Sequence, residues 1–262
     1  MGKGKEFVMA HAPEKNSNNL FDPETVFCED YLYFYGPYLT PEQNAQQADV
    51  IWRLLSLKKK NTVLDLGCGH GRISNELAQR GIHMTGLDSS EFFLNVAREA
   101  ADNANAMVDY VIGDMRSLPW QDKFDGIFCW YTTYGYFSDS DNIEVLRQCF
   151  KALKEGGQVL IEQSHRNALL RRGMPQTELT RRDDDLMIDQ IDYDIMKERT
   201  CTQRMMVRDG SVRTANFSIR LYSFAELYDR LAGVGFSSIE GFGRGGEPLS
   251  TYNPRLLVVA QK

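Results

Sequence analysis

Several things are scarce in this chain, and each scarcity removes a class of function. Its 262 residues hold five cysteines, Cys28, Cys68, Cys129, Cys149 and Cys201, scattered without a C-x-x-C pair. An odd number so spaced makes no closed disulfide framework and reads as reduced thiols in a cytoplasmic protein. The four histidines, His11, His70, His83 and His165, show no tetrahedral ligand spacing with cysteines or acids, so no metal is expected. No uninterrupted apolar run approaches bilayer-spanning length, and the N-terminus carries Lys3 and Lys5 without an apolar signal core. Neither export nor membrane insertion is expected. Positive charge is not in excess: 30 basic residues against 36 acidic ones leave a net charge of -6, with a pI near 5.3. That balance argues against a broad nucleic-acid surface and toward small substrates. Hydrophobic residues at 42% and charged residues at 25% are ordinary globular values, and the length suits one domain with a full core, or one domain carrying an insertion.

What the chain does contain is organised around residues 61–88. Thr62-Val63-Leu64-Asp65-Leu66 is a short apolar run bounded by glycine and predicts a buried strand. Gly67-Cys68-Gly69-His70-Gly71 follows, with three glycines on alternate positions that allow positive φ and close approach of a ligand to the backbone. From Arg72 the pattern turns helical, Gly81 marks its stop, and residues 82–87 predict a second strand. Asp88 falls at that strand's carboxyl end, about 20 residues after the first glycine, where nucleotide-binding sheets place a ribose-binding acid. A dinucleotide fold wants G-x-G-x-x-G; here the spacing is G-x-G-x-G, and Arg72 stands in place of the third glycine.

With Asp65 closing the first strand, Val-Leu-Asp-Leu-Gly-Cys-Gly-His-Gly resembles the first motif of the class I S-adenosylmethionine-dependent methyltransferases. Later stations also fit: Gly113-Asp114-Met115 after a third strand at 108–112, Leu118-Pro119-Trp120 before a fourth at 123–130, and Leu153-Lys154-Glu155-Gly156-Gly157 before a fifth at 158–162. The resemblance implies an α/β fold, a doubly wound, mostly parallel seven-stranded sheet. It also implies S-adenosylmethionine as cofactor, with Gly67, Cys68, Gly69, Gly71 and Arg72 beside Asp65 along the methionine part and Asp88 with Ser89 at the ribose. Asp114 and Met115 would border adenine, Cys129 and Trp130 would lie near the sulfonium, and Tyr33 would close over the cofactor from an N-terminal segment.

That segment, Tyr31-Leu32-Tyr33-Phe34-Tyr35-Gly36-Pro37-Tyr38, either covers an edge of the core or forms a lid. A second aromatic cluster, Trp130 to Phe137, follows the fourth strand, and parallel sheets bind ligands at the carboxyl ends of their strands. Tyr35, Tyr131, Tyr134, Tyr136 and Arg166 are therefore the candidates for the substrate side. Residues 178–182, 187–198, 200–208 and 211–221 predict successive strands of an antiparallel insertion after the fifth strand, with Asp209-Gly210 a hairpin turn. Asp183-Asp184-Asp185 reads as a solvated turn, since consecutive residues of an extended chain do not share a face. Ser223 with Glu226 predicts a capped helix ahead of two last strands.

The expected divisions are a flexible tail at 1–20, an aromatic lid and helix at 21–57, a cofactor-binding core at 58–163, the insertion at 164–222 as lid or subunit contact, and a C-terminal helix with two strands at 223–262. The function expected is methyl transfer to a nitrogen or oxygen of a small-molecule acceptor, without nucleic acid or membrane and with a homodimer as one option. His165, directly after the fifth strand, is a candidate general base beside Tyr131, since an imidazole can accept a proton at neutral pH, with Glu162 three residues back to orient it; the alternative is a polar residue capping the segment that it begins. A methyltransferase acting on RNA or protein and an NAD-dependent oxidoreductase are the competing readings.

Overall fold

The computed structural model describes residues 23–262, so the tail expected at 1–20 lies outside the described residues. The central strand is β1 (Thr62–Leu66), four of whose five residues are buried. It has helices on both faces, which is why it reads as a continuous apolar run and not as an alternation. β1 pairs in parallel with β2 (His83–Asp88) on one side and β4 (Phe124–Cys129) on the other; β3 (Val108–Ile112) extends the first side and β5 (Leu153–Ser164) the second. β11 (Arg255–Gln261) lies antiparallel on β5, and β10 (Ser237–Phe242) antiparallel on β11. The order β10-β11-β5-β4-β1-β2-β3 is the doubly wound seven-stranded sheet that the sequence leads one to expect. Successive strands step outward in opposite directions from β1 and β4, which opens a crevice above their carboxyl ends.

The crossover helices start where local chemistry dictates. α3 (Pro41–Leu54), α5 (Glu91–Ala104) and α6 (Asp139–Ala152) are capped by the side chains of Thr40, Ser90 and Ser138, each accepting from a backbone N–H three residues on. α4 (Arg72–Gln79) has Gly71 at its N-cap in the left-handed region, and α8 (Phe224–Val234) carries the reciprocal Ser223–Glu226 capping box. Several boundaries differ from expectation, among them the strand expected at 187–198, which runs over Asp185–Asp194. α3 stops at Leu54 instead of running to Leu57, because Leu55 and Leu57 turn inward and are buried. β5 begins at Leu153, not Gln158, since Leu153 already pairs with Phe124.

After β5 and the short α7 (Arg166–Arg171), a meander of β6 (Gln176–Arg182), β7 (Asp185–Asp194), β8 (Arg199–Arg208) and β9 (Ser211–Arg220) forms a separate four-stranded antiparallel sheet. Asp209 and Gly210 both have positive φ (52° and 72°), as the tight β8–β9 hairpin requires. Ahead of the core, α1 (Pro23–Val26) and α2 (Glu29–Tyr35) precede a single 3-10 turn at Gly36–Tyr38. The aromatic run is thus largely helical, with Phe27, Tyr31 and Tyr35 stacked at four-residue spacing, ring centroids 5.6 and 4.8 Å apart. α2 is fastened to the small sheet: buried Asp30 takes Arg208 and Arg213, and Tyr33 lies between the guanidinium groups of Arg182 and Arg208, each 4.2 Å from its ring.

Candidate active site

The glycine loop builds the floor of a cavity above the crevice. Gly67, Gly69 and Gly71 all have positive φ (75°, 54° and 75°), but for different neighbours. A Cβ on Gly67 would meet Thr133 Cγ2 at 2.2 Å and one on Gly71 would meet Tyr110 Oη at 2.1 Å, so these two permit packing. At Gly69 nothing lies nearer than Phe93 at 3.9 Å, which leaves the backbone open to a ligand. The Asp88 carboxylate accepts from Gly69 N at 2.8 Å and Ser90 N at 2.9 Å. Burial raises its pKa against those bonds, and each oxygen keeps lone pairs for hydroxyl donors. Beneath the loop, Asp65 is buried and accepts from Ser74 Oγ at 2.7 Å; burial pushes its carboxyl up to about 7. His70, also on the cavity wall, is pushed down by burial to about 4 and is neutral.

The roof comes from the loop after β4. Tyr131 and Thr132 both sit in the left-handed region, with φ of 63° and 60°, unusual for non-glycine residues. Glu162 of β5 holds them there: its Oε2 accepts from Tyr131 N at 2.6 Å and Thr132 N at 3.3 Å, and Arg255 grips both carboxylate oxygens. The far end of the loop is held by buried Arg199 of β8, which donates to the carbonyls of Gly135, Tyr136 and Phe137.

Two cavities meet across this loop. One is lined by the glycine loop, Asp88, Ser89, Asp114, Met115 and Trp130. The other, about 380 Å³, lies between the β4 loop and the inner face of the small sheet, and includes Tyr35, Ser164, His165, Asp189, Arg204 and Arg255. Phe27, Tyr31, Tyr131, Thr132 and Tyr136 line both. In the second cavity Arg204 forms a buried bidentate pair with Asp189, at 2.7 Å for both bonds, and donates to Tyr35 Oη at 3.0 Å.

Of the residues singled out in the sequence, Asp65, Gly67, Cys68, Gly69, Arg72, Asp88, Ser89, Asp114, Met115, Trp130, Tyr131 and Tyr136 line the first cavity, and Tyr35, Tyr131, Tyr136 and His165 the second. Gly71 turns the chain into α4 without lining it. Asp114 is engaged by Arg116, which holds its pKa low, so a ligand amine would share that carboxylate. Four residues lie elsewhere. Tyr33 packs on the small sheet, and Tyr31, one residue to the other side of Leu32, faces the cavities instead. Cys129 is buried in the core. Tyr134 is fully buried and donates to the Asn142 carbonyl, and Arg166 is paired with Glu198 and Glu226. Glu162 does not orient His165, being occupied by Arg255 and the two backbone amides. The sequence reading missed Phe27, Tyr31, Glu162 in its loop-holding role, Arg199, Arg204 and Arg255; a four-residue aromatic period from Phe27 was the one local signal available.

Residues 63–157 match the family model described as a methyltransferase domain. The chain is 35% identical over 108 residues to the ubiquinone biosynthesis O-methyltransferase of Pseudomonas paraeruginosa (strain DSM 24068 / PA7), covering 40% of this chain and 45% of that protein. It spans about half the length of the curated relatives it matches. Its structure is similar to that of an S-adenosylmethionine-dependent methyltransferase from Clostridium acetobutylicum ATCC 824, with TM-score 0.77 and 17% identity over 89% of this chain and 99% of that one. It is also similar to SAM-bound CalS10, an amino pentose methyltransferase from Micromonospora echinaspora, with TM-score 0.66 and 19% identity over 91% and 98%. The fold is that of the class I methyltransferases.

Proposed function

We propose that this chain, with a methyltransferase domain at 63–157 and the class I fold around it, transfers a methyl group from S-adenosylmethionine to a nitrogen or oxygen of a small molecule. The observation that carries the reading is the pair of cavities meeting at Tyr131 and Thr132, one over the glycine loop and one over the small sheet. A cavity of about 380 Å³ suits a small acceptor. The relatives' names point the same way, one methylating in ubiquinone biosynthesis and one acting on an amino pentose.

The residues present fit the cofactor. The open backbone at Gly69 and the free lone pairs of Asp88 suit a ribose, and neutral His70 adds no charge beside it. When bound, S-adenosylmethionine supplies a methyl on a good leaving group, so the chain's own work is orientation and exclusion of water. Holding two reactants in line is worth roughly 7–11 kcal/mol. Rings of Tyr31, Tyr131 and Tyr136 near a sulfonium add about 0.5–2 kcal/mol of cation–π attraction.

The reading also places the protein in the cytoplasm, consistent with five free cysteines. No described helix is long and apolar enough to cross a membrane. The outer face of the small sheet exposes Leu179, Met205 and Val212, where a homodimer would form. Neither the oxidoreductase nor the macromolecular alternative gains support from the comparisons. Calorimetry with S-adenosylhomocysteine and with NAD tests the cofactor, and release of S-adenosylhomocysteine in the presence of butylamine, glucosamine or catechol tests the transfer. Binding of NAD without S-adenosylhomocysteine would overturn the reading.

A further inference from the structure

We infer that His165 is the proton acceptor of the transfer, that its Nε2 is the atom which takes the proton, and that the acceptor group is therefore an N–H or O–H that loses its hydrogen on methylation. This rests on the methyl-transfer reading above. His165 stands at the N-cap position of α7, yet its side chain makes no capping bond, so the structural role available to it from sequence is not the one it fills. Nδ1 lies 2.9 Å from the Asn253 carbonyl oxygen, and the backbone N–H of His165 donates to the Pro254 carbonyl at 3.0 Å. A carbonyl only accepts, so Nδ1 must carry the hydrogen, and a neutral imidazole held that way has its lone pair on Nε2. The residue is 4% exposed and lines the second cavity beside Thr132, Ser164 and Arg255; no bond to Nε2 is present among the described residues.

Most other groups on that wall are spoken for. Asp189 is held by Arg204, and the Glu162 carboxylate by Arg255 and two backbone amides. Burial pushes Tyr35 up to about 12 and raises Tyr31 and Tyr136 further, so these phenols hold their protons at neutral pH. Arg172 is a cation, and Glu178 is exposed to solvent. That leaves Nε2 as a neutral lone pair on the cavity wall without a hydrogen-bond partner among the described residues. The balance is then complete: the acceptor's lone pair forms the new bond to the methyl carbon, the carbon–sulfur electrons stay on sulfur, and the N–H or O–H proton passes to Nε2. The imidazolium so formed keeps its Nδ1–H on Asn253.

The first test needs no turnover. Nitrogen NMR of histidine-labelled protein bound to S-adenosylhomocysteine, with the His165 signal assigned by its loss in His165→Asn, should show Nδ1 protonated and Nε2 bare at neutral pH. An Nε2–H tautomer overturns the proposal. The second uses whichever of butylamine, glucosamine or catechol turns over. His165→Gln and His165→Asn, the latter keeping a donor toward Asn253, should lower kcat by about 10²–10⁴-fold with the S-adenosylhomocysteine Kd unchanged. Activity should partly recover at high pH, where the acceptor ionises unaided, while Arg172, Glu178, Asp189, Arg204, Arg255 and Tyr131 remain the same in both proteins. An unchanged kcat, or a loss equal at every pH, overturns it. Failure of S-adenosylhomocysteine to bind would remove the methyl-transfer reading instead, and leaves the tautomer measurement to decide the ring on the unliganded protein.

Discussion

Arg255 on β11 binds Glu162 on β5 through both carboxylate oxygens, and the same carboxylate accepts the amides of Tyr131 and Thr132. A charge pair between neighbouring strands thereby fixes a strained loop that two cavities share. Removing the negative charge should release that loop. Glu162→Gln is expected to lower unfolding free energy by about 1.5–3 kcal/mol, the range for hydrogen bonds to charged groups, and to weaken S-adenosylhomocysteine binding as well. Urea unfolding and calorimetry on the same sample check both; a destabilised variant with wild-type affinity would mean that the loop keeps its shape without the clamp.

The glycine loop separates packing from binding. Gly71→Ala should cost about 1–2 kcal/mol of backbone strain plus a similar overpacking cost against Tyr110. Gly69→Val should carry the backbone strain alone yet abolish S-adenosylhomocysteine binding, because its side chain would enter the open space. Thermal melts with and without ligand distinguish them. Retained binding in Gly69→Val would place the ligand elsewhere.

Tyr31 and Tyr33 point to opposite duties from one helix. Tyr31→Ala should weaken S-adenosylmethionine binding about tenfold, or roughly 1.4 kcal/mol, within the range for a ring contact to a cationic ligand. Tyr33→Ala should leave that Kd unchanged and lower the melting temperature instead, by loss of two guanidinium contacts worth about 0.5–1 kcal/mol each. A reversed pattern would mean that α2 is turned by about half a helical revolution in solution.

Asp65 sets a pH dependence of stability. Burial lifts its folded-state carboxyl to about 7, while the unfolded chain has the ordinary carboxylate value. Between about pH 4 and 7 the unfolded state ionises and the folded state does not, so this residue's contribution is fully present at the acid end and is lost as pH rises through 7. The difference in melting temperature between Asp65→Asn and wild type should shift in the variant's favour over that window. A difference that stays constant from pH 4 to 8 would show that the carboxyl titrates normally.

What the sequence by itself determined is what nearest neighbours decide. The apolar run of β1, the alternate glycines, Asp88 two residues from the Ser90 cap, the Asp209-Gly210 turn and the Ser223–Glu226 box are all set within a few residues of backbone. Their conjunction carried the family resemblance, which was enough for a doubly wound seven-stranded sheet and for half of the first cavity's lining. Only the tertiary structure decided which side chain of an aromatic or charged cluster faces the site. Tyr31 and not Tyr33 does so because α2 is rotated by the bonds that Asp30 accepts from Arg208 and Arg213, 178 and 183 residues away. Trp130 lines the cavity while Cys129, its neighbour, packs in the core, since the chain leaves the pleat of β4 between them. Arg166 looked available for substrate until Glu198 and Glu226 closed on it, and the orientation of His165 depends on a carbonyl 88 positions later. Backbone conformation follows from local sterics, but the direction and free valence of a side chain follow from partners that only folding brings within reach.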